Sequence, residues 1–171
     1  MPAQSNWNPR LNPTEEPDDL VEAADKTAAE ASSEAEAKPT PRSYRPHGLD
    51  YSRKLATAAA RVAIENNGQN VVVLDVTKQS AEFDFFVLAT GTSRRQLHAI
   101  SEQIDDALEK ELGDRRMGIE GYQESQWIVL DYGNIVIHLF DDETREYYDL
   151  ESLWADGTEI PLSDLGLTPN E

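Results

Sequence analysis

The sequence predicts an α/β layered domain with a mixed β-sheet flanked by helices, preceded by a disordered tail. Three observations carry that expectation. Segments with apolar residues at helical spacing alternate with runs of β-branched and aromatic residues. Two pairs of those runs are joined by linkers of only a few residues, which favours antiparallel neighbours. The runs VVVL, WIVL and IVIHLF are apolar on both strand faces, which implies a sheet covered on both sides.

Residues 1–46 form the expected tail. They hold seven of the nine prolines (Pro2, Pro9, Pro13, Pro17, Pro39, Pro41, Pro46) and few large apolar side chains: Trp7, Leu11, Leu20, Val21 and Tyr44. Such a stretch buries too little surface to offset the entropy of ordering it. Its Ala- and Glu-rich part, residues 20–38, would make only a marginal helix alone in water. The tail has 9 acids and 5 bases, leaving 24 acids and 10 bases in residues 47–171. The acidity of this chain of net charge -18 therefore resides in the domain.

Within residues 47–171 the elements follow in order. Residues 49–66 place Tyr51, Leu55, Ala58, Ala59 and Val62 on one helix stripe, stopped by Asn66, Asn67 and Gly68. Val71–Leu74, ending at Asp75, and Phe83–Leu88 read as an antiparallel strand pair. Ser93 with Gln96 has the spacing of a capping box, and Leu97, Ile100, Ile104, Leu108 and Leu112 continue at helical spacing to Gly113. Trp127–Leu130 and Ile135–Phe140 read as strands joined through Asp131, Tyr132, Gly133 and Asn134, a hairpin composition. No repeat of 20–50 residues is present.

Composition excludes several function classes. There is no Cys, which argues against a disulfide scaffold or a thiolate metal site. No apolar run approaches the roughly 18 residues of a membrane helix, and no signal-like region opens the chain, so a cytoplasmic protein without membrane contact is expected. So negative a domain repels a phosphate backbone, so direct specific binding of nucleic acid is not expected. A basic protein partner fits the charge better.

Candidate chemistry is weak. Residues 89–96, ATGTSRRQ, put Gly, hydroxyls and arginines where a strand meets a helix N-terminus, a place that can hold an anion. They match neither phosphate-loop motif, and Gly91 as a turn with Ser93 as an N-cap explains most of the segment by folding alone. Asp75, Asp84 and Asp131 are the acids at strand ends, but they form no D-x-D pair for Mg²⁺. His47, His98 and His138 lack the spacing of a metal site, which favours hydrogen-bonded structural or interface roles for His98 and His138. No catalytic residue, metal or cofactor is expected.

Residues 141–164 are more informative, with nine acids and one base interleaved with Tyr147, Tyr148, Leu150, Leu153 and Trp154. Aromatic anchors ringed by acids suit a basic protein surface. The alternative is a terminal cap in which Tyr148, Leu150, Leu153 and Trp154 close the sheet and the acids are merely solvated.

Four blocks carry a family resemblance: DVTKQS (75–80), FDFFVLATGTSRRQ (83–96), EGYQESQWIVLDYGNIVIHLF (120–140) and REYYDLESLW (145–154). In this order and spacing they resemble the ribosomal silencing factors, also called Iojap-like proteins, over about residues 49–156. The resemblance implies a nucleotidyltransferase-like fold lacking the catalytic carboxylates. It implies a non-enzymatic translational repressor that binds the large ribosomal subunit through its ribosomal protein 14 and blocks joining of the small subunit. By motif position it implies a partner surface made of Trp127, Asp131, Tyr132, Tyr148, Asp149, Leu150, Glu151 and Trp154. Asn134 stands where the family usually has Asp, and the tail lies outside the family pattern. Two other functions stay open, a metal-dependent enzyme on that scaffold and an acidic adaptor binding through its tail. A homodimer through an exposed sheet edge also stays open.

Overall fold

The computed structural model describes residues 47–170, and the tail expected over 1–46 lies outside them. Helix α1 (Gly48–Glu65) leads into β1 (Gln69–Asp75), β2 (Phe85–Thr90) and helix α2 (Arg94–Leu112). Strands β3 (Gly118–Glu120), β4 (Trp127–Asp131) and β5 (Ile135–Phe140) follow. The chain ends in two short helices, α3 (Asp142–Tyr148) and α4 (Leu150–Leu153), strand β6 (Thr158–Glu159) and a 3-10 turn (Leu162–Leu165).

The six strands form one sheet in the order β3-β4-β5-β2-β1-β6. Only β2 and β5 are parallel, and the other four pairs are antiparallel, so the sheet is mixed as expected. The expected pairing of β1 with β2 and of β4 with β5 is present. Strand β3 was not anticipated, since three residues are too short to show a period. It is one edge of the sheet, and the two-residue β6 is the other.

Helices α1 and α2 cover one face. Their stripes, Leu55, Ala59 and Val62 with Leu97, Ile100, Ile104 and Leu108, meet Phe85, Val87, Ile128, Leu130, Ile135, Ile137 and Leu139 in the main core. Each fully buried Leu or Ile contributes roughly 1.5–3 kcal/mol by leaving water. Leu162, Leu165 and Leu167 of the C-terminal segment pack against the same core. Helix α2 ends as read from sequence, with Gly113 in the left-handed region at φ +69°.

Its start differs from the expected capping box. Ser93 Oγ accepts from Gln96 N at 3.2 Å, but the Gln96 amide oxygen accepts from Thr92 N (2.7 Å) and Thr92 Oγ1 (3.0 Å), not from Ser93 N. The Gln96 amide nitrogen donates to the carbonyls of Asn66 and Asn67, tying the start of α2 to the end of α1.

The opposite face is also covered, but by shorter elements. Among the described residues no long helix covers it; only α3 and α4 lie there, and Trp127, Val129 and Trp154 remain partly exposed beside buried Phe86, Leu88, Val136, Phe140 and Leu150. The apolar runs showed that both faces of β2 and β5 are dry, but not that the cover over the second is narrow.

Candidate partner-binding site

This half-covered face is organised around Trp127, the first residue of β4. The loop before it closes tightly: Gly121 sits at φ +69°, and a Cβ there would lie 1.9 Å from the Trp127 carbonyl oxygen, so only glycine fits. His98 helps hold that loop, with Nε2 2.7 Å from the Tyr122 carbonyl and 2.6 Å from Ser125 Oγ, its ring stacked on Tyr122 at 4.1 Å. Donation to a carbonyl requires a hydrogen on Nε2, so this His–Ser pair is a loop fastening rather than a base with its nucleophile.

The Trp127 ring stacks on Phe140 at 5.0 Å and meets Tyr148 at 4.8 Å. Its indole N–H donates to His138 Nδ1 at 3.2 Å. That bond requires an unprotonated Nδ1, so in the neutral ring the hydrogen is on Nε2, which is buried with no hydrogen-bond partner among the described residues. Burial of the imidazole pushes its pKa down to about 4. His138 is thus the structural histidine expected, neutral at physiological pH.

Helix α3 begins where Asp141 accepts from Thr144 N at 2.8 Å, and Asp142 and Glu143 in its first turn favour the helix dipole. None of its residues is buried. Asp149, at φ +42°, turns the chain from α3 into α4, a backbone conformation costing roughly 1–2 kcal/mol outside glycine. Leu150 then buries in the sheet face, and Trp154 packs edge-on against Phe86 at 4.9 Å.

The structure brings Trp127, Tyr148, Asp149, Leu150, Glu151 and Trp154 together on this face, with Asp131 at the far end of the same strand face and Tyr132 in the helical core. They lie four and five residues further along, at the other end of β4, roughly 13 Å away at about 3.3 Å per residue. Asp131 Oδ1 accepts from Gly133 N at 2.7 Å within its own turn. Tyr132 is buried in the helical core, its hydroxyl bonded to Asp105 on α2, and burial together with that carboxylate pushes the phenol pKa well above its ordinary value. The cap and display readings divide the segment between them. Leu150 and Trp154 cap the sheet, whereas Tyr148 is 53% exposed. Tyr147 (82%) and Leu153 (71%), left out of the expected surface residues, are the most exposed apolar side chains of this face. Their only sequence signal was their place among the interleaved acids of 141–164.

The acids considered for catalysis each serve a local hydrogen bond. Asp84 is fully buried and accepts from Ser52 Oγ at 2.8 Å, while Asp75 accepts from Thr77 N and Oγ1. Among the described residues no group of three or more His, Asp or Glu side chains is placed to hold a metal. In the 89–96 loop, the backbone N–H of Thr92 is taken by Gln96. No helix of the described residues is long and apolar enough to cross a membrane.

Comparison with known proteins accords with this geometry. The model of the family described as "Ribosomal silencing factor during starvation" matches residues 50–171. That match extends past the resemblance read from the motifs, which ended near residue 156, in keeping with the packing of Leu162, Leu165 and Leu167 on the core. The chain is 32% identical over 119 residues to "Ribosomal silencing factor RsfS" of Bacillus subtilis, covering 70% of this chain and 98% of that one. It is 37% identical over 93 residues to mouse "Mitochondrial assembly of ribosomal large subunit protein 1", covering 53% of this chain and 41% of that one. A crystal structure of a Chromobacterium violaceum protein superposes with a TM-score of 0.56 at 32% identity, covering 63% of this chain and 87% of that chain. The chain therefore belongs to the ribosomal silencing factor family, non-enzymatic ribosome-binding factors that repress translation.

Proposed function

We propose that this protein docks on the large ribosomal subunit through ribosomal protein 14 and sterically blocks joining of the small subunit. The observation that carries the reading is the half-covered sheet face, where Trp127 and Tyr148 stand in contact beside exposed Tyr147 and Leu153. Around them lie the exposed acids Asp142, Glu143, Glu146 and Asp149. Aromatic anchors supply residence on a partner, and a rim of acids steers a basic protein surface towards them. The remaining acidic surface repels the RNA of an arriving subunit. Asp131 and Tyr132 support this reading less directly, since Tyr132 acts by fixing the end of β4. The site of action is the compartment holding the target ribosomes, the cytoplasm on the sequence reading.

The test is subunit joining followed by light scattering, with the full chain added to purified large subunits before small ones. The proposal expects saturable inhibition that disappears when ribosomal protein 14 is absent from the particles. Joining at the normal rate with saturating protein would contradict it. Turnover of a nucleoside triphosphate with Mg²⁺ would revive the enzyme alternative.

A further inference from the structure

Arg145 is the single base among nine acids in residues 141–164. Its side chain is only 12% exposed although α3, the helix that carries it, contains no buried residue. The guanidinium reaches three other segments. Nη1 donates to the Asn70 carbonyl at 2.7 Å, near the start of β1, and to Oγ1 of fully buried Thr90 at 2.9 Å, the last residue of β2. Nε and Nη2 both donate to Glu151 Oε1 on α4, at 2.9 and 2.5 Å. The acceptor at Asn70 is specially shaped: its φ is +47°, and it lies where the β1–β2 register is irregular, between Gln69 and Val72. Such a bulge re-aims a backbone group out of the ladder.

The geometry points to Arg145 as the positioning residue of the partner-facing surface, one guanidinium holding α3 and α4 on the sheet through Asn70, Thr90 and Glu151. The inference rests on the reading above, that this face receives the partner. Little else fixes the angle of α3, which buries nothing and touches the sheet aromatics through Tyr148. A planar fork can serve three acceptors on different segments at once, which a lysine ammonium on its flexible stem does poorly. The inference also separates two neighbouring acids. Asp149 is exposed, whereas Glu151 is engaged by Arg145 and acts through it rather than on the partner.

The test compares Arg145→Ala, Arg145→Lys, Glu151→Ala and Glu151→Gln in the full chain by hydrogen exchange over residues 142–154 and by binding kinetics with isolated large subunits. Arg145→Ala and Glu151→Ala should speed exchange there about tenfold or more without changing α2. They should raise the dissociation rate about tenfold and change association less than threefold. Glu151→Gln keeps the accepting oxygen and should remain within threefold of wild type in both readouts, while Arg145→Lys should fall between. The double alanine variant should be no worse than Arg145→Ala, because both substitutions remove the same contact. Wild-type exchange in Arg145→Ala, additive effects of the two alanines, or faster exchange with unchanged dissociation would each overturn the inference. If Arg145→Ala fails to fold, Arg145→Lys exchanging faster than Glu151→Gln supports the clamp, and equal rates refute it. If wild-type protein does not bind large subunits, the proposed function fails, and the exchange measurements alone decide whether Arg145 is the clamp.

Discussion

On one face of the sheet, mostly Leu, Ile, Val and Ala side chains, with Phe85 and Tyr132, are sealed beneath two helices of 18 and 19 residues. On the other, Phe, Trp, Tyr and His lie beneath two helices of seven and four residues. The first arrangement is complete in itself, since every large side chain of the helical stripes finds its partners inside the chain. The second leaves Tyr147, Tyr148 and Leu153 exposed and Trp127 partly so. Aromatics suit the incomplete face, because each can lie on the sheet with one side and present the other outward. On the proposed function, stability and recognition are divided by face, with His138 and Arg145 holding the second face in shape from within.

The division is broken most severely on the helical face. Ile104→Ala should destabilise the domain by about 2–5 kcal/mol in urea unfolding, since Ile104 is fully buried, while the protein that remains folded binds its partner normally. Acid separates the faces next. His138 has an ordinary pKa of 6.5 when unfolded and about 4 when folded, so folding favours its neutral form. The associated stability is complete above about pH 6.5 and is lost as pH falls towards 4, by up to about 3 kcal/mol. His138→Gln cannot titrate and should flatten that limb in unfolding measured between pH 6.5 and 4.5.

Tyr148→Ala reverses the pattern. It should cost about 2 kcal/mol in partner affinity, seen as faster dissociation, and about 1 kcal/mol or less in unfolding free energy. The smallest effect is expected of residues 1–46. Removing residues 1–46, with their seven prolines and sparse apolar side chains, should shift the melting temperature and large-subunit affinity by less than about 0.5 kcal/mol equivalent.

The sequence made the two faces unequally legible. Helix α2 could be read nearly to the residue, because Ser93, the stripe from Leu97 to Leu112 and Gly113 are local signals that agree. The β4–β5 hairpin was legible for the same reason. Helix α3 was not, since DETREYY has no apolar stripe and is held by one arginine whose acceptors at Thr90 and Asn70 are 55 and 75 residues away. The burial of Tyr132 was hidden likewise, because its partner Asp105 is 27 residues earlier on another element. Tyr148 and Trp154 were singled out because aromatics among acids are conspicuous, whereas Trp127 entered only by its position in the family motif. Which of them cap and which are displayed depends on packing that no spacing reveals.

The most direct measurement places Ile104→Ala and Tyr148→Ala side by side, each assayed for unfolding free energy and for affinity to isolated large subunits per folded molecule. The expected result is crossed: Ile104→Ala loses about 2–5 kcal/mol of stability with affinity within twofold of wild type, and Tyr148→Ala loses tenfold or more in affinity with nearly intact stability. Tyr148→Ala binding as tightly as wild type while fully folded would contradict it, and the half-covered face would be only a sparse lid on the sheet.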